Sequence, residues 1–291
     1  MDLGIWDGAA VLVKAALYAA TLGAAGGVFF LAYTRSLLDP GDRVAITRPL
    51  CILVGVAIAA SAASVLLTAA SMAEDATGML DTRLLAMAWH GGEGRAAVVR
   101  AGGLLLAIPA LVCGDRGRRL AIAGAAVAAT SFAWVGHTRA AASVAAPLLL
   151  GAHVLAVAFW LGALGPVAIE ARRREPRELG AVAVRFGRIA VAVVGALLVV
   201  GAALLWILLG SFSALWTSAY GRLACLKIAF VACLLALAAW NKLRLVPPIV
   251  AGDPIAVRSL RRSIRAEMLV AGLILLITAA LTTLAGPPSM S

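Results

Sequence analysis

Apolar runs long enough to cross a membrane recur along this chain of 291 residues, and they leave few folds open. Eight are legible, over residues 8–33, 50–72, 95–113, 119–137, 147–169, 187–209, 220–241 and 264–285. Each supplies the ~20 residues that a hydrocarbon core requires. Inside lipid a backbone N–H or C=O finds no water, so each run must close its hydrogen bonds internally, as a helix. Charged residues are 13% of the chain, against about 25% in soluble domains, and they sit in short clusters between the runs. The sequence therefore predicts an all-α polytopic membrane protein with eight transmembrane helices in one membrane domain. The opening MDLGIWDG is acidic and the first run continues to about Tyr33, so this run reads as a retained helix rather than a signal peptide.

The net charge of +11 would suit nucleic acid, but the placement of the charges argues for a bilayer instead. The segments after runs one, three, five and seven hold 18 of the 25 Lys and Arg residues: Arg35, Arg43 and Arg48; Arg116, Arg118 and Arg119; the six from Arg172 to Arg188; the six from Lys242 to Arg265. By the positive-inside rule those loops are cytoplasmic and both termini are periplasmic. A short pattern, G-R-x4-[RK], opens run three (Gly94, Arg95, Arg100) and run seven (Gly221, Arg222, Lys227). Four runs separate the two copies, so the expectation is two parallel four-helix halves, 1–138 and 139–291.

Four polar side chains stand inside apolar runs: Lys14, Arg100, Lys227 and His153. Counted from helix starts at Asp7, Gly94, Tyr220 and Pro147, each lies six or seven residues inward, about 9–11 Å deep. They are expected to form one polar layer near the outer surface. Ionisable groups inside a membrane are costly and are functional candidates by default; the alternative is that the cations snorkel to the headgroups. The only carboxylate within the runs is Glu267, at the cytoplasmic end of run eight, so the layer is expected to lack an acidic partner. Cations without counter-charges suit an anion, such as a cofactor's propionates, and repel a bare metal ion.

His153 and Trp160 are seven residues apart and share a helix face. A neutral imidazole is a good ligand for copper, iron or zinc; the plainer reading is a histidine bonded to a neighbouring helix. His137 ends run four and His90 precedes run three, so all three histidines face the outer side. Met72, Met79 and Met87 lie on that side too, around the loop that ends near His90. Thioether and imidazole suit Cu(I), although methionine is also a common packing residue. His137 and His153 differ in depth by about two turns, ~10 Å, which favours a relay over one shared ion. The four cysteines lie in or at the ends of apolar runs and suggest no disulfide framework. There is no CxxC and no nucleotide-binding loop, and nothing suggests an ATP-driven pump.

The stretches HVLAVAFWLGAL (153–164), RFGRIAV (185–191), YGRLACLKIAF (220–230) with Asn241 following, and RRSIRAEMLVAGLILLITAALTTLAGPP (261–288) resemble the bacterial copper resistance protein D family. The resemblance implies an inner-membrane protein that accepts copper from a periplasmic copper-binding partner and moves it across the membrane, a transporter or binding protein more than an enzyme. His153, with a lysine like Lys227 two runs later, is also similar to the four-span membrane protoporphyrinogen oxidase family. That likeness implies haem b as the alternative ligand, with iron on His153 and propionates on Arg100, Lys227 or Lys14. The metal-ligand set expected is thus His153, His137, His90, Met72, Met79 and Met87, with Lys14, Arg100, Lys227 and Trp160 around a cofactor. A homo-oligomer is left open.

Overall fold

The computed structural model describes residues 5–111, 114–135 and 145–285. In chain order its helices are α1 (Ile5–Thr34), α2 (Pro40–Ala73), α3 (Thr82–His90), α4 (Gly92–Ala110), α5 (Gly114–Thr130), α6 (Ala145–Leu161), α7 (Leu164–Arg173), α8 (Pro176–Leu209), α9 (Ala214–Thr217), α10 (Ala219–Trp240), α11 (Val246–Ala251) and α12 (Pro254–Leu284). No strand occurs among the described residues. Six segments are long and apolar enough to cross a membrane: Trp6–Leu37, Pro40–Ala73, Ala145–Arg173, Pro176–Leu209, Ala219–Ala251 and Pro254–Leu284. Helices α4 and α5, of 19 and 17 residues, overlap the other two predicted runs but are not among these six.

Helix ends follow from local chemistry. Proline opens α2, α8 and α12, where its missing N–H costs nothing and its φ already fits. Ser218 caps α10 by accepting from Gly221 N–H at 2.9 Å, and Asp253 caps α12 by accepting from Ile255 N–H at 2.7 Å. Helix α8 stops at Gly210, whose φ of 70° is left-handed. The sequence placed the starts of three runs at 50, 187 and 264, yet their helices begin at Pro40, Pro176 and Pro254. Charged residues such as Arg and Glu are good helix formers, so each helix runs about 15 Å past its apolar part.

The fifth run also differs from expectation. It breaks between α6 and α7 because Pro166 offers no N–H to the carbonyl of Gly162 and its ring crowds that oxygen. Gly162 lies at a close approach to α1: a Cβ there would sit 2.5 Å from Leu22 O and 2.6 Å from Gly26 Cα. Gly103 and Gly124 let α4 and α5 approach in the same way, since a Cβ on Gly103 would meet Gly124 O at 2.5 Å. Helix α1 lies at the centre, packed on α2, α4, α5, α6, α8 and α12. Its Leu17, Ala20, Ala24, Ala25, Val28 and Phe30 are all buried. At Asn241–Leu245 the end of α10 widens into a π turn. Pro247 and Pro248 follow and cannot donate to the carbonyls one turn back, so the regular α ladder cannot continue there.

The two ends of the bundle differ. At one end the arginine-rich segments meet. Asp42 accepts from Arg173 Nε at 3.0 Å and from Arg174 NH2 at 2.6 Å, while Arg174 also pairs with Glu170. Burial alone lowers a guanidinium's pKa, but the hydrogen bond to Asp42 and the charges of Glu170 and Asp42 outweigh it and hold Arg174 above its ordinary value. Arg35 donates to Leu111 O at 3.2 Å, Arg185 to Tyr33 O at 3.1 Å and Arg261 to Ala171 O at 2.6 Å. At the opposite end Trp89, Trp134, Trp206, Phe212 and Trp216 are exposed, as aromatics often are at a membrane–water boundary; at the arginine-rich end Trp240 is exposed too.

Candidate functional site

The four polar residues singled out in the apolar runs all lie within helices of the bundle. Helices α4 and α10 start within two residues of the expected positions, and Arg100 and Lys227 stand eight residues into them; Lys14 and His153 lie within α1 and α6. They divide into two groups with different chemistry.

The first group is a network. Arg100 is only 2% exposed. Its NH1 donates to Ser61 Oγ at 2.9 Å and its Nε to Ser131 Oγ at 3.1 Å, and its guanidinium lies 4.4 Å from the Phe132 ring centroid. Both hydroxyls donate onward to backbone carbonyls, Ser61 to Ala57 O and Ser131 to Ala128 O. Phe132 meets Tyr18 edge-on at 4.9 Å; Tyr18 shares a hydrogen bond with Thr282 Oγ1 at 3.2 Å, and Lys14 Nζ donates to Thr282 O at 3.4 Å. One carboxylate stands near the layer from outside the apolar runs. Glu93, in the first turn of α4, is close enough for its charge to act on both Lys14 and Arg100. It stands seven residues before Arg100 on the same helix face, a spacing legible in the sequence. Its place before the apolar run hid it.

The second group is His153 with Lys227. His153 Nδ1 is buried and has no hydrogen-bond partner among the described residues. The imidazole lies against Gly201 of α8, where a Cβ would stand 3.2 Å from His153 Cε1 and 3.4 Å from Nδ1. A larger residue would take that space, so Gly201 is part of the site, although nothing in the sequence singled it out. Lys227 supplies the charge that acts on the imidazole. Trp160 shares the α6 face but belongs to an apolar cluster with Leu197, Leu234 and Ile274, so it packs the helix that carries His153.

The predicted outer ligands are more scattered. Met72 ends α2 and is exposed; Met79 lies in the short 3-10 turn Ala76–Met79 and is half-buried; Met87 and His90 are exposed on α3. His137 lies outside the described residues. No group of three or more His, Cys, Asp or Glu residues gathers into a metal site among the described residues.

Residues 5–145 match the family model described as Copper resistance protein D-like, N-terminal domain, and residues 180–281 match the model Copper resistance protein D. The chain belongs to the copper resistance protein D family. It is therefore a multi-pass membrane protein of copper resistance, and copper is the metal it handles. No curated protein and no solved structure matches it. Within this member of the copper resistance protein D family, Lys14, Met72, Met79, Met87, His90, Arg100 and His137 fall in the first matched stretch and Lys227 in the second. His153, Trp160 and the helix break at Gly162 fall between the two. Nothing in either match points to haem.

Proposed function

We propose that the protein accepts copper at the aromatic end of the bundle and moves it into the membrane through His153. The observation that carries this reading is the buried, unpartnered Nδ1 of His153, with Gly201 leaving space beside it. Buried polar atoms are ordinarily paired, and an imidazole nitrogen with no protein partner suits a soft or borderline metal. Lys227 makes the site repulsive to a resting cation, which fits transfer better than storage.

The rest of the reading is a route. Met72, Met79, Met87 and His90 offer thioether and imidazole groups for Cu(I) at the outer surface, and His137 stands in the segment leading into α6. The 18-to-7 division of Lys and Arg supports a cytoplasmic arginine-rich end, with α4 and α5 completing eight spans and both termini in the periplasm of a bacterial inner membrane. A periplasmic copper-binding protein is the donor. The test is the copper content of purified protein. His153→Ala is expected to lose most of its bound Cu(I) while eluting and melting like the wild type, because alanine removes a bond to metal and little packing. Unchanged copper in well-folded His153→Ala protein sinks the ligand role.

A further inference from the structure

A second buried polar place lies at the arginine-rich end of the bundle. Asn241 opens the π turn and is 9% exposed; Glu267 of α12 is 3% exposed. Asn241 Nδ2 donates to Glu267 Oε1. Asn241 Oδ1 is buried with no partner among the described residues, and so is Oγ of Ser263, one turn before Glu267 on the same side of α12. The π turn, followed by Pro247 and Pro248, packs against α12, and such turns often mark functional positions.

The carboxyl has no cationic partner among the described residues. On α12 itself Arg261 and Arg265 line a separate cavity with Arg172 of α7 and Met268, and Arg262 is exposed. On α7 Glu170 is paired with Arg174. In the π turn Lys242 and Arg244 are exposed, and α11 carries no titratable group. On α10 Lys227 stands fourteen residues before Asn241, about 21 Å along the helix. On α1 Lys14 and Tyr18 meet α12 at Thr282, fifteen residues beyond Glu267, about 22 Å away. Arg35, just after α1, is committed to Leu111 O, and Tyr33 of α1 to Arg185.

We propose that Asn241 and Glu267 form a proton-exchange site, in which Glu267 binds and releases one proton on the arginine-rich side of the bundle. The two states use the same atoms. The ionised carboxylate accepts from Asn241 Nδ2; the neutral acid, with the amide turned over, donates its O–H to Asn241 Oδ1, the oxygen that now lacks a partner. Metal ions fit less well. Hard cations take six or more oxygens and Cu(I) prefers sulfur and imidazole, whereas this place offers one carboxylate, one amide oxygen and one hydroxyl. Nothing in this inference depends on His153.

The experiment is infrared difference spectroscopy of the full-length protein in membranes between about pH 5 and pH 9, with isotope-labelled glutamate to identify the signal without mutation. The expected result is a carbonyl band of one protonated glutamate that disappears as pH rises. It should be absent in Glu267→Gln and moved to higher frequency in Asn241→Leu, where the hydrogen bond is gone. A glutamate signal ionised throughout, or protonated throughout, overturns proton exchange. A band removed by sodium or Cu(I) at constant pH overturns it in favour of a cation site. If Glu267→Gln does not fold, the labelled wild type and Asn241→Leu decide the matter alone.

Discussion

Arg100 and Lys227 open their helices with the same short pattern and stand at the same depth, yet their surroundings are opposite. Arg100 is enclosed by two hydroxyls and an aromatic ring supplied by α2 and by the turn after α5. Lys227 has no hydrogen bond among the described residues, and its charge acts on an imidazole that is itself unpartnered. Two like charges at like positions have thus been put to different uses. The guanidinium holds helices together. The ammonium and imidazole remain available. Equivalent depth in a membrane sequence marks candidates, and satisfaction of the donors separates structural from functional ones.

The largest effect should come from breaking the Arg100 side. Ser61→Ala with Ser131→Ala leaves a buried guanidinium without either acceptor. A hydrogen bond to a charged group contributes about 1.5–3 kcal/mol, so the double variant should melt well below the wild type in detergent. Arg100→Met removes the charge together with its needs and should cost less than the double variant. Equal melting temperatures for wild type and double variant would contradict the network. Arg100→Lys is not expected to substitute, because the planar fork that reaches two hydroxyls and stacks on Phe132 is lost.

A smaller and opposite effect is expected on the other side. Lys227→Met removes a charge that repels a cation at His153 while keeping length and apolar contact. At the effective dielectric constants that describe protein sites, such a term is about 1 kcal/mol or somewhat more, so Cu(I) affinity should rise by up to about tenfold. Stability should change little. An anionic cofactor held by Lys227 would instead be released by the same substitution, so copper affinity and visible absorption, measured on one preparation, separate the two uses of the charge. A fall in copper affinity would mean that Lys227 helps to hold the ligand.

How much of this was legible beforehand depends on what kind of signal each residue leaves. The helical runs follow from apolar length alone, and the depth of the four polar residues follows from a constant rise per residue. The gathering of arginine-rich segments at one end follows from their alternation along the chain, and the clamp of Asp42 with Arg173 and Arg174 bears it out. What escaped are properties of pairs. Ser61 and Ser131 are unremarkable hydroxyls until they are seen on either side of Arg100. Gly201 is one of 29 glycines, distinguished only by the imidazole above it. The break at Gly162 had a visible cause in Pro166, overlooked because apolar length was read as continuity. Glu267 stood out as a lone carboxylate, but its partnership with Asn241 depends on a π turn that no hydrophobic pattern reveals.

The smallest effect sharpens the comparison most, because it should move two measurements in opposite directions. Gly201→Ala places a methyl group 3.2 Å from His153 Cε1 and 3.4 Å from Nδ1, so the imidazole must yield by a few tenths of an ångström. Alanine is also the better helix former, by up to about 1 kcal/mol over glycine. The variant should therefore be slightly more stable, or no less stable, than wild type while binding Cu(I) about two- to fivefold more weakly, a change below about 1 kcal/mol. Gly102, beside Arg100 on α4, is the matched control: a Cβ there meets nothing within 4 Å. Gly102→Ala should show the gain in stability without the loss of copper. If Gly201→Ala and Gly102→Ala behave alike in both assays, the space beside His153 is not used by the metal, and the contrast between the two sides of the layer reduces to packing.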